Sequence, residues 1–325
     1  MKFYSIKSGI YWIFLLLFPV QIFSQDLDKY IPFRQGNLWG LCDAGKFIVV
    51  QPQYQSISWY DPSVGGFHAE QNRKFGIIDY HSGQVMPFIS EQPVFAEGTD
   101  YIVFDGFGYY RYSRKTRMRL GEYANPEKFP VRDRWVEDKG FSGTQTGKVP
   151  TLTRDDLSSG DLEMLKPYED ETKYRINFKA DYIEILSENA HIGIYIPKIG
   201  KMYRSTPDIA YVGWQVFSGK PYLLTTDSSG LFGLTDEFSH EIYPVKYASI
   251  LMMDHHHLIL LSEPDPADRE NVRFKTILAN GVTLNGRFEP FGTVSKNGHA
   301  FQLYYTMING VRNYAGEDGT LYFKD

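Results

Sequence analysis

The chain has 325 residues, a net charge of −5, a single cysteine, and 24 Tyr beside 23 Phe. The acidic balance argues against nucleic acid, whose phosphates are held by clustered Lys and Arg. One cysteine, Cys42, excludes an intrachain disulfide, so the fold must be stable by burial alone. The aromatic bias is one that β-strands favour.

Residues 1 to 24 read as a secretory signal peptide. Lys2 and Lys7 precede the apolar run Ile10 to Phe18, and Ser24 is the expected last residue removed. The run is short of the ~20 apolar residues a membrane helix needs. No cysteine stands at the cut site to carry a lipid. The mature chain is therefore expected to be secreted, or to sit in the periplasm or cell envelope. Its only membrane contact would be through the signal segment before cleavage.

From residue 25 to 125 one short pattern recurs. The first unit runs Tyr30 to Asp61: an apolar segment, a turn at Gln35-Gly36-Asn37, then Leu38-Trp39-Gly40-Leu41-Cys42-Asp43. A second turn at Ala44-Gly45-Lys46 leads to Phe47-Ile48-Val49-Val50-Gln51-Pro52. The second unit repeats the plan through Phe75-Gly76-Ile77-Ile78-Asp79, the turn Ser82-Gly83 and Val85-Met86-Pro87-Phe88. Phe107-Gly108 reads as a third copy. Short apolar runs bounded by Gly, Asn and Asp predict strands joined by hairpins. In this reading the aromatic residue supplies most of the buried area of a small unit. The Gly allows close backbone approach. The Asp bonds its own turn, where the Gly takes positive φ. The Pro ends the strand.

The pattern fades between Gly108 and Gly193. Arg111, Arg114, Lys115, Arg117 and Arg119 crowd one short stretch, read as an exposed strand edge protected by charge. Residues 139 to 149 are Gly- and Thr-rich. Residues 126 to 180 are read as an irregular linker or insert. It holds one short helix near Gly160 to Leu165, capped by Ser158 with Asp161 three positions on. From 181 to 325 a second block follows. Gly193 marks a loose copy and Phe232-Gly233-Leu234-Thr235-Asp236 a clear one, closed by Pro244. Degenerate copies run from His257 to Phe291 and from Phe301 to Phe323, as expected of capping units.

These segments resemble the WG repeat family of bacterial β-rich tandem repeats. The resemblance stands on Trp39 to Tyr54, Phe75 to Phe88 and Phe232 to Tyr247. It implies an all-β fold of three-stranded antiparallel β-meander units, elongated or curling toward a propeller. It implies a binding or scaffolding surface, and no catalytic residues.

The remaining motifs carry little chemistry. His255 and His257 would share a face if Met252 to His257 began a strand, but no spaced third metal ligand accompanies them. The acidic run Asp155, Asp156, Asp161, Glu163, Glu169, Asp170 and Glu171 starts like a calcium loop. It meets Pro167 where the loop needs Glu. Cys42 occupies a strand position filled elsewhere by Ile78 and Thr235. No nucleophile elbow, phosphate loop or zinc-protease helix is present, and no cofactor is expected. The sequence thus predicts an exported, non-catalytic surface for an unidentified protein partner. A carbohydrate-binding module is the first alternative and a carboxylate hydrolase the second.

Overall fold

The computed structural model describes residues 29–124, 151–188, 190–267 and 271–324. The signal segment expected at 1–24 and the loop expected at 139–149 lie outside them. Among the described residues the chain is mostly strand, with seven sheets, antiparallel but for one pair of strands, following one another in chain order. Sheet 1 holds Ile31–Gln35, Leu38–Cys42 and Ile48–Tyr54. Sheet 2 holds Ser56–Asp61, Gly66–Gln71, Lys74–Ile78 and Gln84–Ser90. Sheet 3 holds Phe95–Glu97, Asp100–Phe104, Tyr109–Ser113 and Arg119–Glu122. Sheet 4 holds Arg175–Phe178, Ile183–Ser187, Ala190–Ile196 and Lys201–Arg204. Sheet 5 holds Ala210–Phe217, Lys220–Thr226, Phe232–Asp236 and Glu241–Tyr247. Sheet 6 holds Ser249–Met253, Leu258–Pro264, Val272–Leu278 and Thr283–Asn285. Sheet 7 holds Glu289–Lys296, His299–Ile308 and Val311–Gly316.

Each sheet is an up-and-down meander, and local sequence explains why. Asn72-Arg73, Ser218-Gly219, Asn297-Gly298 and Asn309-Gly310 have positive φ at both positions. Such turns match the right-handed twist of the strands they join. The expected three-stranded units are sheets of four in most cases, because a further strand precedes the predicted ones. Ser56–Asp61, assigned to the close of the first unit, opens sheet 2. Sheet 4 opens at Arg175, inside the stretch assigned to the insert.

Sheet 1 obtains its fourth strand from the other end of the chain. Phe323–Lys324 pairs parallel with Ile31–Gln35. Gly36 N–H donates to the Lys324 carbonyl at 2.8 Å.

Several sheets carry buried residues on both faces, and consecutive residues of one strand serve different neighbours. Leu41 packs between sheets 1 and 2, whereas Cys42 packs between sheets 1 and 7. Ile78 faces sheet 1 and Ile77 faces sheet 3. This is the two-residue alternation of a strand with apolar surface on either side. Further clusters join sheets 4 and 5, 5 and 6, and 6 and 7. The remaining cluster packs sheet 4 against the helix and its flanks.

The helix spans Ser159–Leu165, with Ser158 as N-cap and Asp161 completing the capping box. Its Leu165 and the following Tyr168 bury against Ile183, Ile185 and Tyr195 of sheet 4. No helix among the described residues is long and apolar enough to cross a membrane.

Candidate functional site

The signature glycines occupy one structural position. Gly40, Gly76, Gly193 and Gly233 all lie on the last strand but one of their sheets in chain order, counting Ile31–Gln35 as the first strand of sheet 1. A Cβ at Gly40 would stand 2.2 Å from the Val50 carbonyl oxygen, and one at Gly193 would stand 2.2 Å from that of Tyr203. At Gly76 and Gly233 the oxygens of Met86 and Tyr243 approach to 2.7 and 3.0 Å. In each case the outer strand that follows in sequence passes directly over the glycine. In sheets 1, 2 and 5 the pairing register also shifts there, as at a bulge. Pro52, Pro87 and Pro244 follow within two residues of those carbonyls and lie inside their strands rather than ending them. A bulge on an edge strand is where a residue without an N–H is tolerated.

The signature aspartates also act alike. Asp43 Oδ1 accepts from the backbone N–H groups of Gly45 and Phe47, Asp79 Oδ1 from His81 and Gly83, and Asp236 Oδ1 from Phe238 and His240. The positive φ in these turns falls on Lys46, Ser82 and Ser239, not on Gly45 or Gly83. The side-chain bonds fix the turn strongly enough to hold a non-glycine residue there.

Two expectations about the aromatics are corrected. Trp39, Phe75 and Phe232 are half-buried and belong to none of the buried clusters. The residues after the glycine supply the core instead. Phe107 and Gly108 sit in the turn between the second and third strands of sheet 3, with Phe107 97% exposed. Asp105 Oδ1 accepts from both their N–H groups, so this pair imitates the signature in a different turn.

What the sequence conceals is how neighbouring sheets are fastened. Buried tyrosines reach across to backbone carbonyls at the tips of adjacent sheets. Tyr322 donates to Ala44, Tyr101 to Val64, Tyr203 to Glu237 and Tyr304 to His256, at 2.7–2.9 Å. Burial pushes the Tyr304 hydroxyl up to about 12 and raises Tyr322 further. Both remain donors, and the hydroxyl supplies the partner that a buried tip carbonyl requires.

The histidine run belongs to this fastening. Asp254–His256 is a short 3-10 turn and His257 is left-handed, so the segment is a hairpin tip rather than the start of a strand. Asp254 accepts from Ser218 N–H and the Met252 carbonyl from Gln215. Among the described residues no group of three or more His, Cys, Asp or Glu gathers to hold a metal. Cys42 is fully buried, and burial followed by the nearby Asp43 charge pushes its thiol up to about 12. A thiol so protonated is a poor nucleophile.

The arrangement best suited to bind something lies where the signature is absent. A cavity of about 430 Å³ opens between the helical segment and the first strand of sheet 4. Its apolar wall is Leu162, Leu165, Ile176 and Phe178, with Tyr168 and Tyr174 edge-to-face at its side. Arg154, Glu169, Glu171 and Arg175 line its rim, and Arg154 pairs with Glu169. Two bonds position the segment. Leu152 N–H donates to the Lys179 carbonyl at 2.8 Å, and Tyr195 donates to Asp161 Oδ1 at 2.5 Å. Burial, then the Asp161 carboxylate, pushes the Tyr195 hydroxyl up to about 12. Burial opposes ionisation of Asp161, but the bonds from Ser158 and Tyr195 outweigh it and lower its pKa. The acidic run is thus divided. Asp156 and Asp161 cap turns, and Glu169 and Glu171 face the cavity.

No protein-family model and no curated protein matches the chain. Among solved structures it is similar to a eukaryotic initiation factor at 10% identity, over 90% of this chain and 94% of that one, with a TM-score of 0.27. It is also similar to tricorn protease at 12% identity and a TM-score of 0.25, spanning 89% of itself but a third (33%) of that chain. A third likeness is to the computationally designed Ika8 protein, at 8% identity and a TM-score of 0.20. Likenesses at this level assign neither architecture nor activity.

Proposed function

We propose that the chain is an exported, non-catalytic repeat protein of the WG type. In this reading its seven sheets form a propeller-like ring that presents a binding or scaffolding surface to a protein partner in the cell envelope. The shared position of Gly40, Gly76, Gly193 and Gly233 beneath a crossing strand supports one recurring unit. The ring is favoured over an open array by contacts between sheets that are not consecutive. Trp59 of sheet 2 stacks on Phe291 of sheet 7 at 5.0 Å and donates to the Tyr314 hydroxyl. A straight stack in chain order would hold sheets 3 to 6 between them. The return of Phe323–Lys324 to sheet 1 acts in the same sense.

The observation that carries the functional reading is the cavity beside the helix. It combines apolar depth, two tyrosines and both signs of charge at a helical segment that stands outside the recurring unit. The test is capture of a stoichiometric partner from envelope extract by the wild-type chain and by a Leu162→Arg, Arg175→Glu variant. Loss of the partner with an unchanged melting temperature supports the reading. Turnover by the isolated chain that one carboxylate or Cys42 substitution abolishes would overturn it.

A further inference from the structure

We infer that the outer strand of sheet 3, Arg119–Glu122, is a docking edge for an extended acidic peptide, which would add to the sheet as a fifth strand. This surface is separate from the cavity beside the helix. Among the described residues the strand ends the sheet order and pairs on one side, with Tyr109–Ser113. An edge strand presents unpaired backbone donors and acceptors, and proteins normally blunt such edges. Three other closing outer strands carry a proline, at Pro52, Pro87 and Pro244, while Lys201–Arg204 and Thr283–Asn285 do not. Arg119–Glu122 carries none.

Its side chains indicate what would pair with it. Lys115, Arg117 and Arg119 are exposed, on a chain whose net charge is negative. Of the cluster, Arg111 faces Asp100 at 3.8 Å, and Arg114 and Arg119 lie over the rings of Tyr101 and Tyr110 at 5.1 and 3.4 Å. The ring contacts hold the guanidinium groups in place without neutralising them. Met118 and Leu120, 67% and 53% exposed, interleave with the cations. A purely anionic polymer would use the cations alone. An extended peptide alternating carboxylate and apolar side chains would use the cations, the apolar pair and the backbone edge together.

The test is fluorescence anisotropy with a labelled peptide of alternating Glu and Val, added to the whole chain. Saturable binding is expected, weakening with salt. An Arg117→Glu, Arg119→Glu variant should bind about tenfold more weakly or worse, since two charge-assisted contacts become repulsive. Its circular dichroism and urea midpoint should match wild type. A second probe has the same charges but alternate backbone amides N-methylated, which removes ladder donors; it should bind about tenfold more weakly. Equal binding of the N-methylated peptide would reduce the edge to a non-specific anion site and overturn the inference. Unchanged binding by the double variant, or no saturable binding to wild type, would overturn it as well.

Discussion

Replacing Gly40 by Ala tests the reason for the signature glycine directly. The added Cβ would lie 2.2 Å from the Val50 oxygen and 2.8 Å from Gln51 C and Pro52 N, all of them backbone atoms. No rotamer change can relieve that overlap, so the crossing strand must lift from the bulge. Such overpacking costs ~3 kcal/mol or more. Two controls separate the crowding from general effects of losing a glycine. Gly36 has φ +57 and open space, so Gly36→Ala should cost ~1 kcal/mol for the left-handed backbone alone. Gly292 also has open space and no positive φ, so Gly292→Ala should stay within ~0.5 kcal/mol of wild type. With a urea m-value of ~3 kcal/mol/M for a chain of this size, Gly40→Ala should lower the midpoint by ~1 M. Urea unfolding followed by tryptophan fluorescence reads all three. A Gly40→Ala midpoint no lower than that of Gly36→Ala would refute the close-approach account.

Tyr322→Phe should destabilise the chain by ~1–2 kcal/mol in the same assay, because it leaves the buried Ala44 carbonyl without its donor. The Cys42 thiol should resist thiol reagents in the native chain at neutral pH and react only under unfolding conditions; native-state labelling at the rate of an exposed thiol would contradict its burial. The carboxyl of Asp61 is held well below its usual range, chiefly by His68 and then by Ser63, against the opposing effect of burial. Its contribution to stability is therefore present above the unfolded value of ~3.9 and lost as pH falls toward the lower folded value. Asp61→Asn should flatten the acid limb of the stability profile below about pH 4, and an unchanged limb would refute that role.

Much of the local structure was legible because it depends on neighbours in the chain. Asp43, Asp79 and Asp236 bond N–H groups two and four residues on. Ser158 and Asp161 cap a helix from within one turn. The strand alternation around Gly76 likewise needs no distant partner. The misreadings have a common source. Phe107-Gly108 matches the signature in letters but lies in another turn of its sheet. Pro52 looked like a strand end because the bulge of its own strand against Leu38–Cys42 is invisible in sequence. Trp39 looked like core because size suggests burial, whereas burial depends on which face meets a neighbour.

The sequence by itself determined the β-meander, its turns, the capped helix and the stretch where the signature fails. These follow from propensity, two-residue alternation and hydrogen bonds that span a few residues. Only the tertiary structure decided why the glycine is there, which is a carbonyl of the crossing strand, and how sheets are fastened, which is by tyrosine hydroxyls from elsewhere in the chain. It also brought Phe323–Lys324 to Ile31–Gln35 and folded the segment after Thr151 over Arg175–Phe178 to leave a cavity. Contacts between residues far apart in sequence leave no periodic trace in it, and the cavity arises from such contacts.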